Sequence, residues 1–428
     1  MSIKLKNLVS CLMLSVAIMF LSSCCHSVSD KNDAAQQFSV AHDVESLGFD
    51  AVRLQRIDSM MAGYVRDGVA PNLVSFVARN GKIIHHKAYG YRDVENNIPV
   101  KTTDIFRWAS QTKAITTAVL LTLFEENKFL LDDPIEIYLP MFANPQVYVS
   151  GSVENGNLVT RPANRSITIR HLLSHTSGFS YDSYGEDLRI VNYPQTITSK
   201  EIVERIARTP LKHDPGERYT YGFNTDIAGY LAEVIAGKSL AELMKERIFE
   251  PLGMTDSYFF LPQNKHDRLV KMYTRPNQNE RYRLDADALE QNYPLATNQL
   301  YNNGGAGLSG PIEDFAKFCQ MLLNGGEFNN KRILGNKTVE MMFADQMFDM
   351  PGDHQFSFGF EVGNHRLFVR NLRSIGSVSW GGMYGTSYLI DPKENLILLC
   401  YTNVRNWNNP RISDRFIISV YQALTGEL

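Results

Sequence analysis

The chain reads as an α/β (α+β) fold: one antiparallel sheet built from its N- and C-terminal segments, flanked by terminal helices, with a mostly helical lobe inserted between them. Three observations predict this. Two strand-like runs joined by a tight turn occupy residues 73–89. Further strand-like runs return at 356–403. Between them, the 112–347 stretch is dominated by helical periodicity broken by loops rich in Asn, Gly and Pro. Strands at both ends with helices between imply a sheet closed late by the C-terminus, and a cleft between sheet and lobe is a natural place for a site.

The elements follow in order. Phe49 to Val65 carries apolar residues at Phe49, Val52, Ile57, Met60 and Tyr64, a helical stripe that ends near Asp67-Gly68. Leu73 to Ala78 reads as a strand, Asn80-Gly81 as a hairpin turn, and Ile83 to Tyr89 as the partner strand. A helix begins at Thr112, with Ile115, Val119 and Leu123 spaced by four. Strands are expected at Gly359 to Val362, His365 to Asn371, Gly385 to Ile390 and Leu396 to Tyr401. Asp391 to Asn395 forms the turn between the last two, and Ile412 to Leu424 closes the chain as a helix.

Ahead of this body the chain has the pattern of an exported protein. Lys4 and Lys6 form a basic start, Val9 to Leu21 is a short apolar run, and Leu21-Ser22-Ser23-Cys24 places small residues before a cysteine. The run is short for a membrane span and has the shape of a secretory signal. Its ending resembles a bacterial lipobox, so residues 1–23 are expected to be a lipoprotein signal peptide and Cys24 the lipidated residue. Residues 24–46 read as a polar tether, and 47–428 as one domain in the cell envelope. Cys319 and Cys400 sit in apolar surroundings and are expected to be buried free thiols.

Composition narrows the function. Acids and bases are interspersed, the formal net charge is −3, and no basic block interleaves with aromatics, which sets nucleic acid aside. His171 and His175 lack a metal-binding pattern, and His85 and His86 fall on a strand whose side chains alternate, so both pairs read as structural. Gly304 to Gly310 lacks the lysine of a phosphate loop. No metal or cofactor is implied.

Ser110 and Lys113 form the chain's one Ser-x-x-Lys. Residues three apart share a helix face, so the Lys113 ammonium can reach the Ser110 hydroxyl. A serine at a helix start also lies among unpaired backbone N–H groups, a setting that favours nucleophilic attack and stabilises an oxyanion.

Four further segments join this pair: His171-Leu-Leu-Ser-His175-Thr-Ser-Gly178, Pro215-Gly-Glu-Arg-Tyr-Thr-Tyr221-Gly-Phe-Asn224-Thr-Asp226, Gly304-Gly-Ala-Gly-Leu-Ser-Gly310 and Trp380-Gly381-Gly382-Met383-Tyr-Gly-Thr386, the last expected to open a strand. In this order they resemble the serine β-lactamase and penicillin-binding protein superfamily, in its class C-like branch, which includes the family VIII esterases and D-amino-acid peptidases. The likeness runs from about Leu47 to Leu428. It implies the β-lactamase/transpeptidase-like fold, Ser110 as acylated nucleophile, Lys113 as its partner and Tyr221 as general base or proton relay. Whether Lys113 or Tyr221 takes the first proton is left open. The Trp380-Gly381-Gly382 segment stands where relatives carry Lys-Thr-Gly. The N–H groups of Met383 and Ser110 would then form the oxyanion hole.

Two departures shape the expected substrate. Asn224 sits one place late for the family's Tyr-x-Asn, so its contact with substrate depends on the local backbone. Trp380 replaces a lysine that would pair with a substrate carboxylate, which favours neutral acyl esters over β-lactams unless Arg370 or Arg373 supplies a charge. The resemblance thus implies an esterase-type serine hydrolase acting on a small acyl ester or related amide. Its alternatives are a β-lactamase, a D-amino-acid peptidase or acyltransferase on cell-wall-like substrates, or a slowly acylated penicillin-binding sensor.

Overall fold

The computed structural model describes residues 37–152, 155–182, 196–277, 279–287, 291–295, 300–347, 349–350, 355–405 and 411–426. Eight strands form the main sheet: β1 (Ser39–Val40), β2 (Asn72–Arg79), β3 (Lys82–Asp93), β4 (Ile98–Pro99), β5 (Glu361–Val362), β6 (Val378–Gly381), β7 (Ser387–Asp391) and β8 (Leu396–Tyr401). Their order is β1-β3-β2-β8-β7-β6-β5, with β4 beside β3; every pairing is antiparallel except β1 with β3. The N-terminal hairpin thus abuts the last strand of the C-terminal meander, Val77 opposite Leu398, as the sequence predicts.

Both faces of the sheet are covered, which is why β2 and β8 are buried at every position rather than alternately. Leu73, Val77, Leu398 and Cys400 face the helices α1 (Ala51–Arg66) and, at the C-terminus, Arg411–Ala423, through Ile57, Met61, Phe416 and Val420. Val74, Phe76, Ala78 and Leu399 face the inserted lobe. Asp50 caps α1, its carboxylate accepting from the Arg53 amide at 2.9 Å. At the centre of the lobe lies α2 (Thr112–Glu125), buried on every side from Thr112 to Leu123. It packs on α3 (Asn224–Ala236) and lies below the glycine-rich turn that leads into α4 (Ile312–Leu323). Cys319 and Cys400 are buried and free.

Three expectations are corrected. His365–Asn371 is a helix (α5), not a strand: Asn364 accepts from the Leu367 amide at 3.1 Å, and this cap decides a segment whose Phe-Val core suggests a strand. The Trp380-Gly381 pair closes β6 instead of opening a strand, because a turn at 382–385 intervenes before β7. Order begins before residue 47, since Ser39–Val40 pairs with Lys82–Ile83 at the sheet edge. The 112–347 lobe also holds a hairpin, Gln146–Ser150 with Val159–Pro162. The signal segment and Cys24 lie outside the described residues, among which no helix is long and apolar enough to cross a membrane. The C-terminal helix (Arg411–Ala423) is hereafter α6.

Two histidines, His85 buried and His171 half-buried, make this fold sensitive to acid. His85 and His86 do face opposite sides of β3. His85 Nε2 lies 2.8 Å from Ser75 Oγ, and its Nδ1 looks across 3.9 Å to the Asp58 carboxylate on α1. Burial outweighs the Asp58 attraction and pushes His85 down to about 4. His171, whose Nδ1 accepts from the Thr168 amide in a capping box, is likewise pushed down to about 4 by burial and then by Arg165. Both lie below the ordinary 6.5, so the unfolded chain binds more protons between these values. Stability is complete above 6.5 and falls as pH drops toward 4, by at most ~3 kcal/mol per histidine. Thermal unfolding followed across that range should show Tm falling on acidification; a flat profile would contradict the assignment.

Candidate active site

Ser110 stands at the join between a single 3-10 turn (Ala109–Gln111) and α2, and the backbone just before it is strained. Ala109 has φ of 47°, a left-handed conformation that costs an L-residue about 1–2 kcal/mol. The strain is held by Trp108, whose ring is fully buried and whose Nε1 donates to the Gly310 carbonyl at 2.9 Å. The Trp108 amide donates to the Leu308 carbonyl at 2.9 Å, and its own carbonyl accepts from Thr386 Oγ1 at 3.1 Å. Lobe and C-terminal sheet together therefore fix the backbone at Ser110.

Lys113, one turn on, is 1% exposed. Its ammonium has three N–H bonds and finds three acceptors: Ser110 Oγ at 3.2 Å, the Tyr181 hydroxyl at 2.9 Å and the Gly305 carbonyl at 2.6 Å. The nitrogen also lies 4.8 Å from the ring centroid of Tyr221 and 5.3 Å from that of Tyr181. Tyr221 precedes α3, and its hydroxyl accepts from Trp380 Nε1 at 3.3 Å. The neighbouring Gly222 is pressed against the backbone of Phe179 and Ser180, and only the lack of a side chain lets the two tyrosine-bearing segments meet.

Two groups that sequence reasoning gave no role complete the centre. Tyr181 bridges Lys113 and Asp226. Its ring edge is exposed but its hydroxyl is enclosed, and burial together with the Asp226 carboxylate drives the phenol well above its ordinary range, so it stays protonated. Asp226, on the first turn of α3, is buried against Gly305 and accepts from the Tyr301 hydroxyl at 2.8 Å. Burial raises its carboxyl, and the Lys113 charge opposes that rise. Asp226 carried a visible signal, lying within the Tyr221 segment. Tyr181 carried none.

Asn224 does not reach the cleft surface. It opens α3 fully buried, its Oδ1 accepting from Ser177 Oγ at 2.5 Å and its Nδ2 directed at His175 Nδ1 at 3.0 Å. The helical start turns it inward, toward the Ser174–Gly178 segment, so its role here is positioning. His175 in turn packs on the Tyr221 ring, centroids 4.9 Å apart, and its burial keeps it neutral. Phe223 closes on Tyr181 at 4.6 Å.

The opposite wall is the Trp380–Thr386 segment. Trp380 packs on Tyr221 at 5.2 Å and on Phe356 at 5.3 Å, making an aromatic face. After Gly381, the Gly382 amide donates to the Thr386 carbonyl at 2.8 Å and that of Gly385 to Gly382 at 3.0 Å. The turn leaves the Met383 amide without an acceptor among the described residues, and the Met383 side chain is 60% exposed. A side chain at Gly382 would collide with the Trp108 carbonyl and Thr386 Oγ1. Gly382→Ala is therefore expected to push this wall off Ala109 and lower kcat/KM about 100-fold, with Tm changed far less. Equal hydrolytic turnover by this variant and wild type would refute the coupling.

Neither arginine restores a charge to this wall. Arg370 pairs with Asp414 at 2.7 Å, and buried Arg373 bonds Glu361 at 2.9 Å and Ser379. Among the described residues, the cation in contact with the Ser110–Tyr221 centre is Lys113.

Comparison with known proteins agrees with this geometry. A family model described as Beta-lactamase matches residues 57–422. The chain is 30% identical over 368 residues to the ML-236A carboxylate methylbutanoyltransferase mlcH of Penicillium citrinum, covering 78% of this chain and 85% of the relative. It is 27% identical over 391 residues to the esterase EstB of Burkholderia gladioli, covering 84% and 93%. The simvastatin synthase LovD of Aspergillus terreus superposes with a TM-score of 0.74 at 26% identity, over 88% of this chain and 100% of that one.

Proposed function

Because the chain belongs to the β-lactamase family and is a serine hydrolase of that fold, we propose that it hydrolyses small, neutral acyl esters through an acyl-enzyme at Ser110. The observation that carries the reading is the committed ammonium of Lys113. All three of its N–H bonds are directed at acceptors, Ser110 Oγ among them, so it serves as a fixed positive charge and the proton goes elsewhere. Tyr221, across the Lys113 charge and beside Trp380, takes that proton. Ser110 Oγ bonds to the acyl carbon as its proton passes to the Tyr221 oxygen. As the acyl–oxygen bond breaks, the phenolic proton that Tyr221 already carried passes to the departing alcohol, so the tyrosine relays a proton and stays neutral. Water repeats the sequence in reverse and frees the acid. The amide N–H groups of Ser110 and Met383 stabilise the oxyanion.

Trp380 and Phe356 present an aromatic face where a carboxylate would need a cation, which supports neutral esters over β-lactams. A short-chain p-nitrophenyl ester is expected to turn over with kcat/KM about 100-fold or more above that of a chromogenic cephalosporin. Faster cephalosporin turnover would overturn the substrate assignment. A persistent acyl mass without turnover would favour a sensor or a D-peptidase awaiting its acceptor.

A second reading, acyl transfer to an alcohol, is supported by the likeness to a methylbutanoyltransferase and by the aromatic lining, which disfavours water. Adding a small alcohol to the assay separates the two, since transfer yields a new ester in place of the acid. The N-terminal pattern ending at Cys24 supports attachment to the cell envelope through a lipidated cysteine.

A further inference from the structure

Helix α5 and the turn that follows it carry an exposed apolar cluster the catalytic reading does not use. Phe368, Val369, Leu372 and Ile375 are 47%, 78%, 37% and 50% exposed. Among the described residues, four of the sixteen exposed large apolar side chains thus fall within eight consecutive positions. Open space surrounds Gly376 at the tip. Leu372 itself sits in a left-handed conformation, φ 70°, where glycine or asparagine is the usual choice at a helix end. A leucine held there against its backbone preference, and more than a third exposed, points to a use outside the fold.

The surroundings are basic. His365 and Arg366 are exposed on the same helix, and Lys82 and Lys393 are exposed at the two hairpin turns of that end of the sheet. Two carboxylates close to the helix are engaged, Glu394 by Arg79 and Asp414 by Arg370.

Strand register shows which end this is. Val378 lies opposite Ile390, Asp391 opposite Leu396, Leu396 opposite Arg79, Arg79 opposite Lys82, and Lys82 beside Ser39. The chain leaves the sheet for α5 at the end where it enters at Ser39, and α5 runs back along the sheet edge until Arg370 and Asn371 bond Asp414, beside Ser413 and Ser387. Gly381, with the catalytic wall, lies at the other end, opposite Ser387 and level with Cys400 and Ser75.

We propose that α5 and its following turn, residues 365–376, dock the protein onto an anionic phospholipid surface. The apolar side chains enter the headgroup boundary and Arg366 and Lys393 meet lipid phosphate. A second copy of the chain fits less well, since a two-fold contact here would set Arg366 and His365 against their own copies. The docking does not require lipidation at Cys24, nor the catalytic reading above.

The test uses residues 27–428, which retain every described residue and lack Cys24. Wild type is expected to sediment with vesicles of equimolar phosphatidylglycerol and phosphatidylcholine, and not with phosphatidylcholine alone. Val369→Ser with Ile375→Ser, and separately Arg366→Glu, should each weaken binding about tenfold while ester turnover is unchanged. Leu372→Asn should raise Tm and still weaken binding, a split that a merely structural leucine would not give. Absence of wild-type binding to the anionic vesicles would overturn the proposal, as would binding indifferent to these substitutions. So would a concentration-dependent dimer, seen by ultracentrifugation, that the same substitutions abolish.

Discussion

Ser110→Ala is expected to reduce ester turnover by about 10^4-fold or more and to leave no acyl mass on the protein. The size follows from the site's construction. Lys113 and Tyr221 have no other nucleophile within their arrangement, and the residual rate comes from binding and the amide N–H groups alone. The variant should fold as wild type does. Alanine keeps the backbone at the helix start, and the Trp108 contacts to Leu308, Gly310 and Thr386 do not involve the hydroxyl. A normal Tm with no adduct and no turnover is the expected pair of results. Substantial turnover in the variant would mean the reaction runs elsewhere.

Lys113→Met is the second large effect, and it differs in kind because it should damage both rate and stability. Turnover is expected to fall about 10^3-fold through loss of the fixed charge. Stability should fall by roughly 3 kcal/mol, because the Asp226 carboxyl, already raised by burial, loses the positive charge that opposes the rise. The two effects separate in a double variant. Adding Asp226→Asn removes the uncompensated carboxyl, so Tm should recover while turnover stays low. A double variant as unstable as Lys113→Met would show that the carboxyl is not the cause. Calorimetry and steady-state kinetics on the four proteins complete the cycle.

Much of this arrangement is legible in the sequence. Ser110 and Lys113 are marked by helical spacing, the sheet by its hairpin and by runs such as Leu396–Tyr401, and the wall facing Tyr221 by Trp380-Gly381-Gly382. What stayed hidden was what depends on chain crossing. Tyr181 reaches Lys113 across 68 positions, and nothing in its local sequence distinguishes it from a loop tyrosine. Asn224 was placed by a rule for extended chain, but α3 starts at that residue and turns it toward His175. The segment 365–371 has strand-like side chains and a helix cap, and one side-chain hydrogen bond from Asn364 outweighs the pattern.

The strained backbone at Ala109 has a consequence for how the protein comes into being. The hydrogen bonds that hold the residue before the nucleophile in place reach 200 positions onward to Leu308 and 278 positions to Thr386. Contacts of such separation form late, after long loops have closed. During synthesis the helix bearing Ser110 exists long before the strands that lock it. The nascent chain therefore carries a serine without a reactive geometry, and acylating power arrives only when the last strands dock. Labelling by an ester probe then reports the moment of final assembly, residue by residue silent until the end and complete at once.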